Sequence, residues 1–255
     1  IFQRVRDTMP PRDADSLDID SKVDIVAYLL EQNGFPAGET PLTADTAPMK
    51  TMRLDEQGFQ ALFNGTDFTN FKFITGMNCR LAPLGCGKSD PAPVFSVSHG
   101  EVVNTGRIWG YMYTEQKYLN FDLRFDYRCV PPPDWEGDDS LYGGNSGYFL
   151  FIYDHQVVPR GIEIQGQNSN VLMALMNDTK FKVVEDKEAR RKALRPLGQW
   201  NSVQIVSKNG EVKSYLNGAL ISTVTDHEFK VPGQIGFQSA GGEMRWRNIR
   251  IRSDD

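Results

Sequence analysis

Two Asn-Gly pairs, Asn209-Gly210 and Asn217-Gly218, punctuate the run SVQIVSKNGEVKSYLNGALIST. Asn-Gly suits a two-residue hairpin turn because both central residues there take positive φ. The run therefore reads as two or three short antiparallel strands. Upstream, YLNFDLRFDYRCV alternates, with Leu123, Phe125 and Tyr127 on one face and Asp122, Arg124, Asp126 and Arg128 on the other. Downstream, GQIGFQSAGGEMRWRNIRIR gives two more strands around Gly241-Gly242. Short strands at close spacing, with few helices, predict an all-β sandwich or jelly roll. The 23 Gly, 14 Pro, 15 Phe, 9 Tyr and 4 Trp among 255 residues suit such a turn-rich β protein.

The first fifty residues have another texture. DIDSKVDIVAYLLEQNG starts polar around Asp20 or Ser21, and then places Val23, Val26, Ala27 and Leu30 at helical spacing, with Ile25 and Leu29 widening the stripe. Asn33-Gly34 supplies a stop, since Gly takes the left-handed conformation without a Cβ clash. Pro36, Gly38, Pro41 and Pro48 follow as a linker. The division predicted is a short α-helical N-terminal appendage over 1–52 and a β domain over 53–255.

Several function classes fall away. A net charge of −5 gives no general attraction for nucleic acid. Lys187, Arg190, Arg191, Lys192 and Arg195 are interleaved with Glu185, Asp186 and Glu188, which reads as a solvated helix or loop. No apolar run approaches the roughly 20 residues that span a bilayer. The three His and three Cys show no zinc spacing. Cys79 and Cys86 bracket a Pro/Gly loop that a small disulfide can close, with Cys129 left over. No signal peptide is visible, and a start at Ile1 rather than Met implies an upstream part. The acidic loop PPPDWEGDDS, with Asp134, Glu136, Asp138 and Asp139, reads as a lid, a calcium loop or a disordered segment, without EF-hand order.

The informative stretch is GGNSGYFLFIYDHQVVPRGIEIQGQ, residues 143–167. GYFLFIY is apolar on both faces, as a central strand is. In GIEIQ, period two sends Glu163 and Gln165 to one face and Ile162 and Ile164 to the other. A carboxylate beside a central strand needs a partner, a metal or a substrate. Alternation also offers Asp126 and Arg128, Gln234 and Gln238, and Arg245 and Arg247, while Asn145 sits in GGNSG and His155 follows the central strand. Carboxylates, amides and Arg suit sugar hydroxyls, and aromatic rings suit the apolar faces of sugars.

Eight segments recur in order: FQALFNGTDFTNFKF, GEVVNTG, YLNFDLRFDYR, GNSGYFLF, GIEIQ, GQWNSVQIV, YLNGALI and GQIGFQSAGGEMRWRNIRI. Over about residues 53–252 the chain resembles the 3-keto-disaccharide hydrolase family. The resemblance implies a concanavalin A-like jelly roll and action on a glycoside whose sugar is oxidised at C3. It further implies Glu163 as base or metal ligand, and Asn145, Gln165 and Arg128 as substrate-binding residues, to which the polar-face inventory adds Gln238. His155 is a second candidate for proton transfer. A divalent metal is compatible with such a site, though no ligand set can be named from the sequence. Where the family often has Arg after NSG and Asp after E-x-Q, this chain has Tyr148–Phe151 and Gly166-Gln167-Asn168. The alternative from another class is a non-catalytic carbohydrate-binding module.

The N-terminal segment FQRVRDTMP…SKVDIVAYLLEQNGFPAGETPL resembles the C-terminal half of a class I c-type cytochrome, in which Met9 would be the axial haem ligand. CxxCH is absent and no Cys precedes residue 79, so haem is not expected in this chain. The combined expectation is a periplasmic or extracellular protein that meets an oligosaccharide or glycoside and pairs with a sugar oxidoreductase.

Overall fold

The computed structural model describes residues 2–32, 41–45, 58–75, 94–139, 142, 144–155, 159–168, 171–172, 174–177 and 181–254. The chain divides into two compact units, Ile1–Gln57 and Gly58–Asp255.

The first unit holds helix α1 (Phe2–Thr8), a 3-10 turn (Ala14–Ser16) and helix α2 (Ile19–Gln32). Phe2, Val5, Val23 and Val26 form its core, with Ile25, Leu29, Leu30 and Leu42 packed around them. The stripe read from the sequence is the stripe that packs. α2 begins slightly before the expected start because Asp18 caps it, accepting a hydrogen bond from Ser21 N at 2.7 Å. That bond is the main reason the Asp18 carboxyl lies below its ordinary range. Lys22 is buried, and its ammonium donates to the carbonyls of Arg6 at 2.8 Å and Ala14 at 2.6 Å. Met9 is 41% exposed. The expected stop at Asn33-Gly34 lies outside the described residues.

The second unit is a sandwich of two antiparallel sheets, the all-β architecture expected. In chain order its strands are β1 (Gln60–Ala61), β2 (Phe71–Thr75), β3 (Phe95–Ser98), β4 (Glu101–Asn104), β5 (Gly110–Thr114), β6 (Phe121–Val130), β7 (Gly147–Asp154) and β8 (Arg160–Gln165). They continue with β9 (Ala174–Asn177), β10 (Lys182–Glu185), β11 (Asn201–Lys208), β12 (Glu211–Leu216), β13 (Ala219–Thr225), β14 (Gln234–Ser239) and β15 (Glu243–Ser253). The larger sheet runs β10-β13-β12-β11-β6-β15-β4-β3, with β1 beside β15. The smaller runs β2-β5-β14-β7-β8-β9.

Both Asn-Gly turns are present, with positive φ at Asn209, Gly210, Asn217 and Gly218. They join β11 to β12 and β12 to β13. Gly241-Gly242 instead carries the chain from the smaller sheet to the larger, since β14 and β15 belong to different sheets. The charged run at 185–195 contains a short helix α3 (Lys187–Ala193), capped by Asp186, which accepts from Ala189 N at 2.8 Å.

Period two decides the core. Leu123, Phe125, Tyr127 and Cys129 of β6 point between the sheets to meet Tyr148 and Leu150 of β7, Ile162 and Ile164 of β8, and Ile235 and Phe237 of β14. Cys129 is inert there. Its thiol lies 3.1 Å from Met244 Sδ, and burial pushes its pKa up to about 12. The Cys79 and Cys86 pairing lies outside the described residues. β7 is apolar on both faces because the outer face of the smaller sheet carries its own cluster of Tyr111, Phe149 and Ile152, flanked by Ile74 and Tyr113.

Candidate functional site

Ile162 and Ile164 fill the inner face of β8, so Glu163 and Gln165 stand on the outer face of the smaller sheet. Neither projects into bulk water: each is only 6% exposed. β7 runs alongside β8 with Phe149 opposite Glu163 and Gly147 opposite Gln165. On the other side of β7, β14 pairs Gly236 with Phe149 and Phe237 with Tyr148, and continuing that register sets Gln238 beside Gly147. Adjacent strands lie about 4.8 Å apart, so Gln238 and Gln165 flank Gly147 at a span of about 10 Å.

The Glu163 side chain occupies the space above that glycine. A Cβ at Gly147 would meet Glu163 Oε1 at 2.3 Å, Cδ at 3.0 Å and Cγ at 3.1 Å. The carboxylate thus rests on bare backbone between two amides. Gln165 Oε1 accepts from Gly166 N at 2.9 Å and Gln167 N at 3.0 Å, which turns its amide oxygen to the backbone. Its NH₂ group makes no hydrogen bond among the described residues, and neither does the side-chain amide of Gln238, 6% exposed. Asn145 lies two residues before Gly147, held by its N–H to Gly241 O at 2.7 Å, and its Oδ1 is enclosed without a partner among the described residues. Buried polar groups are ordinarily satisfied, so uncommitted amides around a carboxylate suit a polar ligand.

His155 belongs to the same sheet but does not bond Glu163. Its Nε2 lies 2.7 Å from Gln234 Oε1, and its Nδ1 lies 3.2 Å from the Tyr111 hydroxyl. Its ring centre lies 4.2 Å from that of Tyr113, the two planes tilted by 38°. Phe149 stands between this group and Glu163 along the sheet, its ring 5.6 Å from Tyr111. Tyr111 and Tyr113 did not stand out in the sequence, although GYMYT carries the period-two signal that faces both outward around Met112.

Arg128 requires a correction. β6 belongs to the larger sheet and sends Phe125 and Tyr127 inward, so Arg128 lies on that sheet's outer face, across the sandwich from Glu163. Alternation assigns a face but not a sheet. Arg128 there donates to Glu101 Oε2 at 3.1 Å and lies 4.7 Å over the Trp200 ring, with Arg247 at 4.1 Å over the same ring. Arg245 pairs with Glu243 and Glu101, and Asp126 accepts from Ser202, Arg247 and Asn248. Asp122 gathers Arg124 at 2.9 Å, Arg252 at 3.4 Å and the Gln204 amide at 3.0 Å. This face is an ion-pair lattice, and its arginines do not reach the carboxylate of β8.

Among the described residues no group of three or more His, Cys, Asp or Glu side chains stands close enough to hold a metal ion. Among the described residues no helix is long and apolar enough to cross a membrane.

No curated protein matches the chain. Among solved structures, a proposed glycosyl hydrolase from Parabacteroides distasonis ATCC 8503 matches with a TM-score of 0.53 at 19% identity, over 80% of this chain and 99% of that one. A second from the same organism gives 0.51 at 20% identity, over 76% and 98%. At these identities the likeness establishes the fold alone. The stronger correspondence is of sequence with the family model, which spans the whole sandwich: over residues 58–252 the chain belongs to the family of 3-keto-alpha-glucoside-1,2-lyase-like domains.

Proposed function

We propose that the sandwich cleaves glycosides whose sugar carries a ketone at C3, with Glu163 as the general base. The observation that carries this reading is the Glu163 carboxylate, enclosed above Gly147 and flanked by the uncommitted amides of Gln165 and Gln238. Membership of the lyase-like family supports the substrate class.

The chemistry follows from the ketone. A carbonyl at C3 acidifies the C2 proton, and a carboxylate held against it removes that proton to form an enolate. The enolate expels the C1 substituent, and water adds to C1 of the resulting enone to complete a net hydrolysis. Gln165, Gln238 and Asn145 hold the sugar's hydroxyl and carbonyl oxygens so that C2–H faces Glu163. A 3-keto glycoside arises by oxidation of a C3 hydroxyl, so a sugar oxidoreductase is the partner that supplies it. The proposal includes a periplasmic or extracellular location and descent of the helical unit from a c-type cytochrome.

The test uses a 3-keto glucoside and the matched unoxidised glucoside, each with and without chelator. Release from the keto substrate alone is expected, and Glu163→Gln should lower it about 10²–10⁴-fold. Chelator reports whether a divalent metal takes part. Release from neither substrate favours a non-catalytic carbohydrate-binding module, and unchanged turnover by the variant removes Glu163 as the base.

A further inference from the structure

A cleft of about 320 Å³ opens at the end of β7 that lies away from Gly147. Tyr153, Phe229 and Val231 form its apolar wall, and Glu228 and Lys230 flank Phe229 beside it. Tyr153 stands six residues along β7 from Gly147. At about 3.3 Å per residue that is about 20 Å of strand, so no single sugar ring touches both this cleft and the Glu163 carboxylate.

A bulge shapes the wall. From Leu150 to Asp154 β7 takes four steps while β8 takes two, from Ile162 to Arg160. Phe151 sits in the bulge with φ of 59°, a left-handed conformation that a bulky residue rarely adopts. Leu150 and Phe151 consequently both join the core between the sheets, Ile152 joins the outer cluster, and Tyr153 is left 55% exposed. The chain that faces the bulge is held as well. Gly233 packs on it so closely that a Cβ there would meet Phe151 Cα and C at 2.4 Å. Tyr118 and Gly233 exchange backbone hydrogen bonds at 2.8 and 3.1 Å, and Pro232 fixes its own φ. Phe229 stacks on Phe151 at 5.3 Å with an inclination of 15°, and His227 packs against both rings. The Tyr153 ring lies 5.9 Å from that of Phe229, inclined by 46°. Two rings thus make a fixed corner, with Val231, 68% exposed, beside it.

The polar groups of the cleft are uncommitted. The side chains of Glu228 and Lys230 make no hydrogen bond or ion pair among the described residues. One accepts, the other donates, and their charges cancel, so the cleft has no net pull on an ion. A corner of aromatic rings between a free acceptor and a free donor suits a neutral ring with an apolar face and hydroxyls around its edge, which describes a pyranose. The volume lies at the small end of the roughly 300–1,000 Å³ of ligand sites, which suits one such ring.

We propose that this cleft is a second saccharide-binding site, which takes one unoxidised pyranose ring. Tyr153 and Phe229 cover the apolar face of the sugar, Glu228 accepts from its hydroxyls and Lys230 donates to them. The site needs no ketone and breaks no bond; it holds a glycan to the protein. The inference goes beyond the reading of Glu163 as base and stands without it.

The test follows the backbone amide NMR signals of the full chain during titration with methyl α-glucoside and with maltose, neither of which carries a ketone. Shifts are expected to concentrate at Tyr153, Phe229, Val231 and Gly233. Tyr153→Ala should weaken binding about tenfold, while Tyr153→Phe, which keeps the ring, should retain it. Lys230→Met and Glu228→Gln should each weaken it about fivefold or more. Cleavage of methyl 3-keto-glucoside should be the same in Tyr153→Ala as in the unaltered protein. No shift at these amides up to about 0.1 M of either sugar, or equal affinity in Tyr153→Ala, overturns the proposal. Shifts confined to Gly147, Glu163 and Gln165 place the sugar on the floor of the smaller sheet and also overturn it. A dimer that Tyr153→Ala dissociates, with no response to sugar, assigns the cleft to a second copy of the chain and overturns it too. Sugar binding at the cleft without cleavage of any keto substrate supports this inference and removes the reading of Glu163.

Discussion

Replacing Gly147 with alanine tests whether the carboxylate rests where the site requires it. Gly147 has an ordinary negative-φ backbone, so alanine brings no backbone strain; the three atoms nearest its new Cβ, at 2.3, 3.0 and 3.1 Å, all belong to Glu163. The Glu163 side chain must rotate away. Overpacking of this kind costs about 1–3 kcal/mol. Gly→Ala returns about 0.4–1 kcal/mol by restricting the unfolded chain. The net loss is about 1 kcal/mol, or about 2–4 °C in melting temperature for a unit of this size. Turnover should suffer far more, since displacing a reacting group by an ångström costs about 10²-fold. The decisive assay is a double-mutant cycle read by thermal melting. In a Glu163→Ala background all three of those contacts are gone, and Gly147→Ala should become stabilising by about 0.4–1 kcal/mol. An equal loss in both backgrounds would show that the clash lies elsewhere and that the carboxylate does not sit over Gly147.

Two further predictions concern other parts of the sandwich. His227 is 2% exposed, stacked on Phe151 at 5.3 Å, and neither ring nitrogen has a partner among the described residues. Burial, and then Lys230, lower its pKa. The unfolded chain therefore binds the proton first, and stability should fall as pH drops below the unfolded value of about 6.5. His227→Phe should flatten that slope in melts between about pH 7 and 5, and an unchanged slope refutes the assignment. On the larger sheet, Asp122→Ala removes the acceptor that Arg124, Arg252 and the Gln204 amide share. Because both arginines are partly exposed, the loss should be about 1–3 kcal/mol in denaturant unfolding, with turnover unchanged. A loss of turnover would tie this face to the chemistry.

The alternation of β6 and the two Asn-Gly turns made the sandwich legible, because strand period and hairpin chemistry are local properties. The outward face of Glu163 and Gln165 followed from Ile162 and Ile164 in the same way. Sheet membership did not follow. Arg128 and Glu163 both read as polar-face residues, yet strand pairing set them on opposite sides of the molecule, and pairing depends on contacts between distant parts of the chain. Tyr111 and Tyr113 did not stand out, because nothing in GYMYT shows what lies across the sheet. His155 was noticed, but its partner Gln234 is 79 residues away and only the fold introduces them. The amides around Glu163 were legible as a polar inventory, but the space they surround depends on Gly147, whose role appears only once β7 and β8 are paired.

The strand order sets a limit on when this protein becomes complete. β14 inserts between β5 and β7, and β15 between β6 and β4, so each sheet closes only through one of the last two strands of the sandwich. During synthesis, the ribosome must release Gln234–Ser253 before either layer has its middle. A nascent chain halted at Gly233 would hold two split half-sheets with raw edges, a state prone to pairing with other chains. β7 and β5 would then have no strand to join them and Gln238 would be missing beside Gly147, so completion of the site waits for the last two strands of the sandwich.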